Sequence, residues 1–124
     1  MLMSIRNEER VVRYVERFQS AVACDGFEGF FHADDGDHAQ ATLNALLVIG
    51  AVDAAALLRR AMWVFDGGEP PPRRAARREE LRRVGEAGRS LLRRLDESFR
   101  RGSDELTRAL TEYSQSLEEP CDVA

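Results

Sequence analysis

Cys24-Asp25-Gly26-Phe27-Glu28-Gly29-Phe30-Phe31-His32-Ala33-Asp34-Asp35-Gly36-Asp37-His38 is the segment that organises the chain, with three Phe, three Gly and five acidic residues between two helical patterns. Phe27, Phe30 and Phe31 fall at i, i+3 and i+4, so a short helix over 25–32 places all three rings on one face. Asp25 can cap that helix by accepting a backbone N–H two or three residues on. Asp34, Asp35, Gly36 and Asp37 then read as a turn, and Asp37 is placed to cap the next helix. An aromatic stripe at helical spacing points to core, with Phe27 and Phe31 as the leading buried pair.

Outward from this segment the apolar periodicity is helical throughout. Val11, Val15, Phe18 and Val22 define an amphipathic helix ending near Ala23, with Ser4 or Asn7 as a cap and Glu8 and Glu9 in its first turn. Ala39, Leu43, Leu46, Leu47 and Gly50 form a second stripe. Asp53 then caps a helix bearing Leu57, Leu58, Ala61 and Phe65, joined to its predecessor by a hairpin or sharp bend at 50–53. The run Asp66-Gly67-Gly68-Glu69-Pro70-Pro71-Pro72 is the clearest break. Leu81, Val84, Gly88, Leu91, Leu95 and Phe99 predict one long helix after it, with Gly85 and Gly88 kept for close helix contact. Ser103 reads as the N-cap of a last helix carrying Leu106, Leu110, Tyr113 and Leu117, and Pro120 ends it. No run alternates like a strand. The expected fold is all-α: one compact domain over 1–119, five main helices plus the short Phe-rich one, and a flexible tail at 120–124. Phe18, Phe27, Leu46, Leu57, Leu91 and Leu95 are its expected core.

The 124 residues suffice for a single core, and their composition, 44% hydrophobic and 32% charged, is that of an ordinary globular chain. Every one of the 18 basic residues is Arg, a bias expected of a GC-rich genome. The formal net charge of −4 hides a strong division. Residues 1–58 carry four Arg and nine acids, residues 59–101 thirteen Arg and seven acids, and residues 102–124 one Arg and six acids. A basic middle thus lies between two acidic ends. The chain shows no apolar leader region and no stretch approaching the roughly 18 apolar residues of a membrane span. Cys24 and Cys121 make no disulfide framework. The expected compartment is the cytoplasm, with no membrane partner.

Several motifs invite chemistry. Asp34, Asp35 and Asp37 with His32 and His38 suggest a metal, but no bidentate Glu completes a calcium loop and the histidine spacing does not align zinc ligands on a helix. A capped turn with solvated carboxylates is the expectation, with no cofactor. Arg73, Arg74, Arg77 and Arg78, continued by Arg82, Arg83, Arg89, Arg93 and Arg94, resemble a nucleic-acid face. Glu79, Glu80 and Glu86 lie within pairing distance, however, and a pI near 5.3 opposes non-specific DNA affinity. The preferred reading makes these arginines intramolecular partners for the acidic ends. No nucleophile–base pair, phosphate loop or HExxH is present, and Cys24 reads as a small buried hydrophobe. The chain is expected not to be an enzyme.

Gly26-Phe27, Phe30-Phe31 and Gly36-Asp37 resemble the NGGF…QFF…SGD signature of a small bacterial family that includes a DNA-mimic protein. The resemblance continues through Ile49-Gly50-Ala51, Phe65-Asp66-Gly67-Gly68 and Leu95-Asp96-Glu97-Ser98-Phe99 to Tyr113, and Cys24-Asp25 departs from it where the family has Asn-Gly. It implies a non-catalytic protein whose carboxylates imitate DNA phosphates and occupy the DNA-binding face of a transcription regulator. Duplex DNA presents a charge every ~1.7 Å of axis, so mimicry needs ordered rows of acids. The candidates are Glu8, Glu9 and Glu16 on the first helix, Asp34, Asp35 and Asp37 in the turn, and Asp104, Glu105, Glu112, Glu118 and Glu119 at the end. The partner is then another protein, with a homodimer as a further association. Nucleic acid bound through the Arg-rich helix over 73–101, and a small molecule or metal at 24–38, are the alternatives.

Overall fold

The computed structural model describes residues 7–118. It has six α-helices and, among those residues, no strand. They are α1 (Asn7–His32), α2 (Ala39–Val48), α3 (Val52–Met62), α4 (Arg74–Arg82), α5 (Gly85–Arg101) and α6 (Ser103–Glu118). A 3₁₀ turn over Asp34–His38 joins α1 to α2, and a second, Asp66–Gly68, follows α3. The first helix is the hub, packing most extensively on α5 and α2 and also on α4 and α6. The expected tail at 120–124 lies outside the described residues, as does Cys121.

The Phe-rich helix is present as the last part of α1, set off by a kink at Gly26, where φ is 75° and ψ 177°. Its cap comes from elsewhere than Asp25. The Phe27 N–H donates to Asp96 Oδ1 of α5 at 2.8 Å, so a carboxylate 69 positions away satisfies one of the free donors of this helix start. A Cβ at Gly26 would lie 2.6 Å from Asp96 Oδ2. Positive φ and this close approach together make the position a glycine site.

All six Phe of the chain meet in one cluster. Phe18 packs edge-on against Phe30 and Phe99 with centroids at 5.3 and 5.6 Å, and is tilted against Phe27 at 6.0 Å. Phe30 meets Phe31 at 5.4 Å, and Phe31 meets Phe65 at 4.9 Å. Such edge-to-face pairs add about 0.5–1.5 kcal/mol each beyond burial. Phe27, Phe30 and Phe31 are all fully buried, one more ring than the leading pair. Val15, Val22, Leu43, Leu46, Leu58, Ala61, Leu81, Leu92, Leu95 and Leu106 complete the same core.

The expected long helix after the prolines is two helices. The chain turns through Arg83 and Val84 and restarts at Gly85, whose φ of 79° stops helical propagation. No atom lies within 4 Å of a Cβ built there, so Gly85 serves the break rather than a close helix contact. The restart resets the register, so Leu92 is buried and Leu91 only half-buried. Leu57 is likewise half-buried, and Leu47 is exposed at the end of α2. Phe18, Phe27, Leu46 and Leu95 are buried as expected. Neither Asp37 nor Asp53 caps a helix: the N-cap residues of α2 and α3 are His38 and Ala51, and neither helix has a side-chain cap. The last helix starts at Ser103, with the Gly102 carbonyl accepting its first bond from the Leu106 N–H. Cys24 is exposed rather than buried.

Candidate functional site

The centre of the motif is a buried arginine. Arg77 of α4 is fully buried and reaches across to the C-terminal end of α1. Its Nε donates to Phe31 O and its Nη2 to Ala33 O, each at 2.8 Å, while Nη1 donates to Pro71 O and Pro72 O at 3.0 Å. Arg78 Nη2 adds a bond to His32 O at 3.2 Å. The Phe31 and His32 carbonyls lie in the last turn of α1, where intrahelical donors run out, and Ala33 O also accepts from the Gly36 N–H at 3.1 Å. The cations oppose the negative end of the helix dipole as well. Arg77 Nη2 also lies 2.8 Å from Asp37 Oδ1, an ion pair without a hydrogen bond.

Gly36 makes room for this clasp. A Cβ there would sit 2.8 Å from Phe30 O and 2.9 Å from Arg77 Nε, tighter than real contacts allow. Arg77 also continues the Leu81–Val84 stripe one turn back, a spacing that marks it as inward-facing. The sequence reading missed it because it stands in a run of look-alike arginines.

The acidic candidates divide into two sets. The turn carboxylates are each answered by an arginine from another element: Asp34 by Arg74, Asp35 by Arg17 at 3.4 Å, and Asp37 by Arg77. They serve the fold first. Glu8, Glu9 and Glu16 on α1, and Asp104, Glu105 and Glu112 on α6, are exposed and make no ion pair among the described residues. The side chain of Glu118 and all of Glu119 lie outside those residues. Glu105 and Glu112 line a groove with Asp53 and Val52 of α3, with Arg108 between them. On α6, Glu105 and Glu112 thus share one groove with Asp53, whereas the turn acids are each paired with an arginine.

The arginines of the middle are largely engaged as well. Glu79 pairs with Arg82 and Arg83 at 3.3 and 3.2 Å, Arg93 with Glu86 at 2.8 Å, and Arg89 with Glu28 at 3.8 Å. Glu80 accepts from the Asp66 N–H at 3.3 Å. Burial pushes the Asp96 carboxyl above its ordinary pKa, against the pull of the Phe27 N–H and Arg100, with Glu28 adding to the rise.

Gly26, Phe27, Phe30, Phe31, Gly36 and Asp37 thus meet Phe65, Asp96 and Phe99 from the later motifs in one structural unit. Residues 3–117 match the family model described as DMP19-like protein. The chain belongs to that family. Among curated proteins and solved structures, none matches significantly. In this DMP19-like protein the shared-looking motif residues build the core and the arginine clasp. Among the described residues, no group of three or more His, Cys, Asp and Glu is placed to hold a metal. No described helix is long and apolar enough to cross a membrane.

Proposed function

We propose that the chain is a non-catalytic interaction protein that docks the acidic face of α6 on the DNA-binding surface of a transcription regulator, in the manner of a DNA mimic. The observation that carries this reading is the separation of the acids. The turn carboxylates are engaged by arginines, whereas Asp104, Glu105 and Glu112 stand exposed on α6, and Glu105 and Glu112 share a groove with Asp53. At 1.5 Å rise per residue, Glu105 and Glu112 are about 10.5 Å apart along the helix. Three phosphate steps along one DNA strand advance about 10 Å along the duplex axis while the strand winds around it. The pair therefore supplies two charges of the right sign within that stretch, not a phosphate-by-phosphate match. Val52, exposed at the rim of the same groove, adds an apolar contact beside the charges. Family membership supports the same class of function.

Arg108 interrupts this row from within the groove, which gives the reading a sharp test. Binding to a regulator identified by affinity capture is measured for the wild type, Glu105→Gln/Glu112→Gln and Arg108→Gln. The double variant weakens binding by about tenfold or more, as expected for charge-assisted contacts. Arg108→Gln strengthens it by removing the wrong sign. Equal affinity for all three proteins contradicts the reading.

A further inference from the structure

A cleft of about 580 Å³ lies between the N-terminal part of α1 and the Asp34–His38 turn, on a different part of the surface from the α6 groove. That volume falls within the usual range for small-molecule sites. Arg10, Arg13 and Arg17 line it at i, i+3 and i+7 of one helix face, opposite the carboxylates of the turn. The charges do not cancel. Asp34 and Asp37 are held by Arg74 and Arg77 from α4, and Asp35 by Arg17. Arg10 and Arg13 are left without an ion-pair partner among the described residues. Glu9 and Glu16 sit at helical spacing from Arg13, yet neither lines the cleft nor contacts it as an ion pair.

Like charges on successive turns of one helix face repel by tenths of a kcal/mol. An oxyanion between the two guanidinium groups removes that repulsion and offers the paired acceptors their fork geometry suits. The wall beside them is aromatic, with the Tyr14 and His38 rings 5.5 Å apart and inclined by 44°. We infer that this cleft binds a small molecule carrying a compact oxyanion, a phosphate monoester or a carboxylate, next to a planar ring. The oxyanion sits on Arg10 and Arg13 and the ring lies against Tyr14 and His38.

The test is titration of the full chain with adenosine monophosphate, benzoate and adenosine, followed by amide NMR shifts. Either anion should give saturable shifts confined to residues 10–17 and 34–42, and which of them binds identifies the oxyanion. Adenosine alone should bind about tenfold or more weakly than its monophosphate. Arg10→Gln/Arg13→Gln should lose about tenfold or more in affinity while keeping the wild-type circular dichroism. Arg59→Gln/Arg60→Gln, which alters exposed arginines on α3, should change nothing. No saturation by either anion up to about 10 mM, unchanged affinity in the first variant, or an equal loss in the second would each overturn the proposal. The result does not depend on whether α6 binds a regulator.

Discussion

Replacing Arg77 with Met removes a cation of similar length from a site with no solvent access. Four carbonyls, those of Phe31, Ala33, Pro71 and Pro72, lose the bond from Arg77, although Ala33 O keeps the Gly36 N–H, and Asp37 Oδ1 loses its counter-ion in a position where water does not reach it. Hydrogen bonds to a charged group contribute about 1.5–3 kcal/mol each, but they are shared here and not additive. The better guide is the cost of breaking a buried ion pair on one side, about 3–5 kcal/mol. That is a large part of the ~5–15 kcal/mol that holds a domain of this size together. With an m-value of about 1.5 kcal/mol per M urea, the unfolding midpoint should fall by about 2–3 M. Circular dichroism during urea titration measures it. Arg77→Lys should fall between Met and the wild type, because an ammonium keeps the charge but cannot span carbonyls on both sides of a planar fork. Asp37→Asn in the Met background should recover part of the loss, since it neutralises the stranded carboxylate without restoring the carbonyl bonds. A loss below about 0.5 kcal/mol for Arg77→Met, the scatter of ordinary surface substitutions, refutes the clasp as a stabilising device.

Gly36→Ala should destabilise by about 1–3 kcal/mol, because its Cβ meets the Phe30 carbonyl, Arg77 and Phe31 together; a thermal melt unchanged from wild type contradicts this. Phe27→Ala should cost about 3–5 kcal/mol by emptying a fully buried aromatic site, read from the same melt. Asp96→Asn should be neutral or stabilising at pH 7, whereas Asp96→Ala destabilises by taking away the acceptor of the Phe27 N–H. The sign follows from linkage: a carboxyl whose pKa is raised by folding binds its proton more tightly in the native state. The burial cost is therefore absent below the ordinary value of 3.8 and complete above the raised one, so any advantage of Asn over Asp shrinks as the pH falls toward that value in urea melts. Arg74→Gln/Arg78→Gln/Arg82→Gln should lower stability only slightly, since these side chains are exposed. The wild type should also give no gel shift with duplex DNA at ~50 mM salt, where phosphate contacts are strongest; retention below micromolar protein would favour the nucleic-acid reading.

What was legible in the sequence was local. The i, i+3, i+4 spacing of Phe27, Phe30 and Phe31 gave both their helix and their burial, and every helix but one pair was placed by apolar periodicity. The exception is instructive. Leu81, Val84, Gly88, Leu91 and Leu95 keep a helical rhythm straight through Gly85, and periodicity alone does not reveal that the chain stops and restarts there. The shift of burial from Leu91 to Leu92 follows from that break. Long-range partners were invisible for a different reason. Asp96 caps a helix 69 positions away, and Arg77 differs from its neighbours only in what it touches. The same blindness made Asp34, Asp35 and Asp37 look like free carboxylates, although each has an arginine waiting in the fold.

The most direct test of the proposed function is competition. Regulators of the source cell, each bound to a labelled operator duplex, are titrated with the chain and followed by fluorescence anisotropy. The account predicts that the wild type releases the duplex from at least one regulator, that Arg108→Gln does so at lower concentration, and that Asp104→Asn/Glu105→Gln/Glu112→Gln fails. Displacement by that triple variant at the wild-type concentration would contradict the account, because the face held responsible would then be irrelevant.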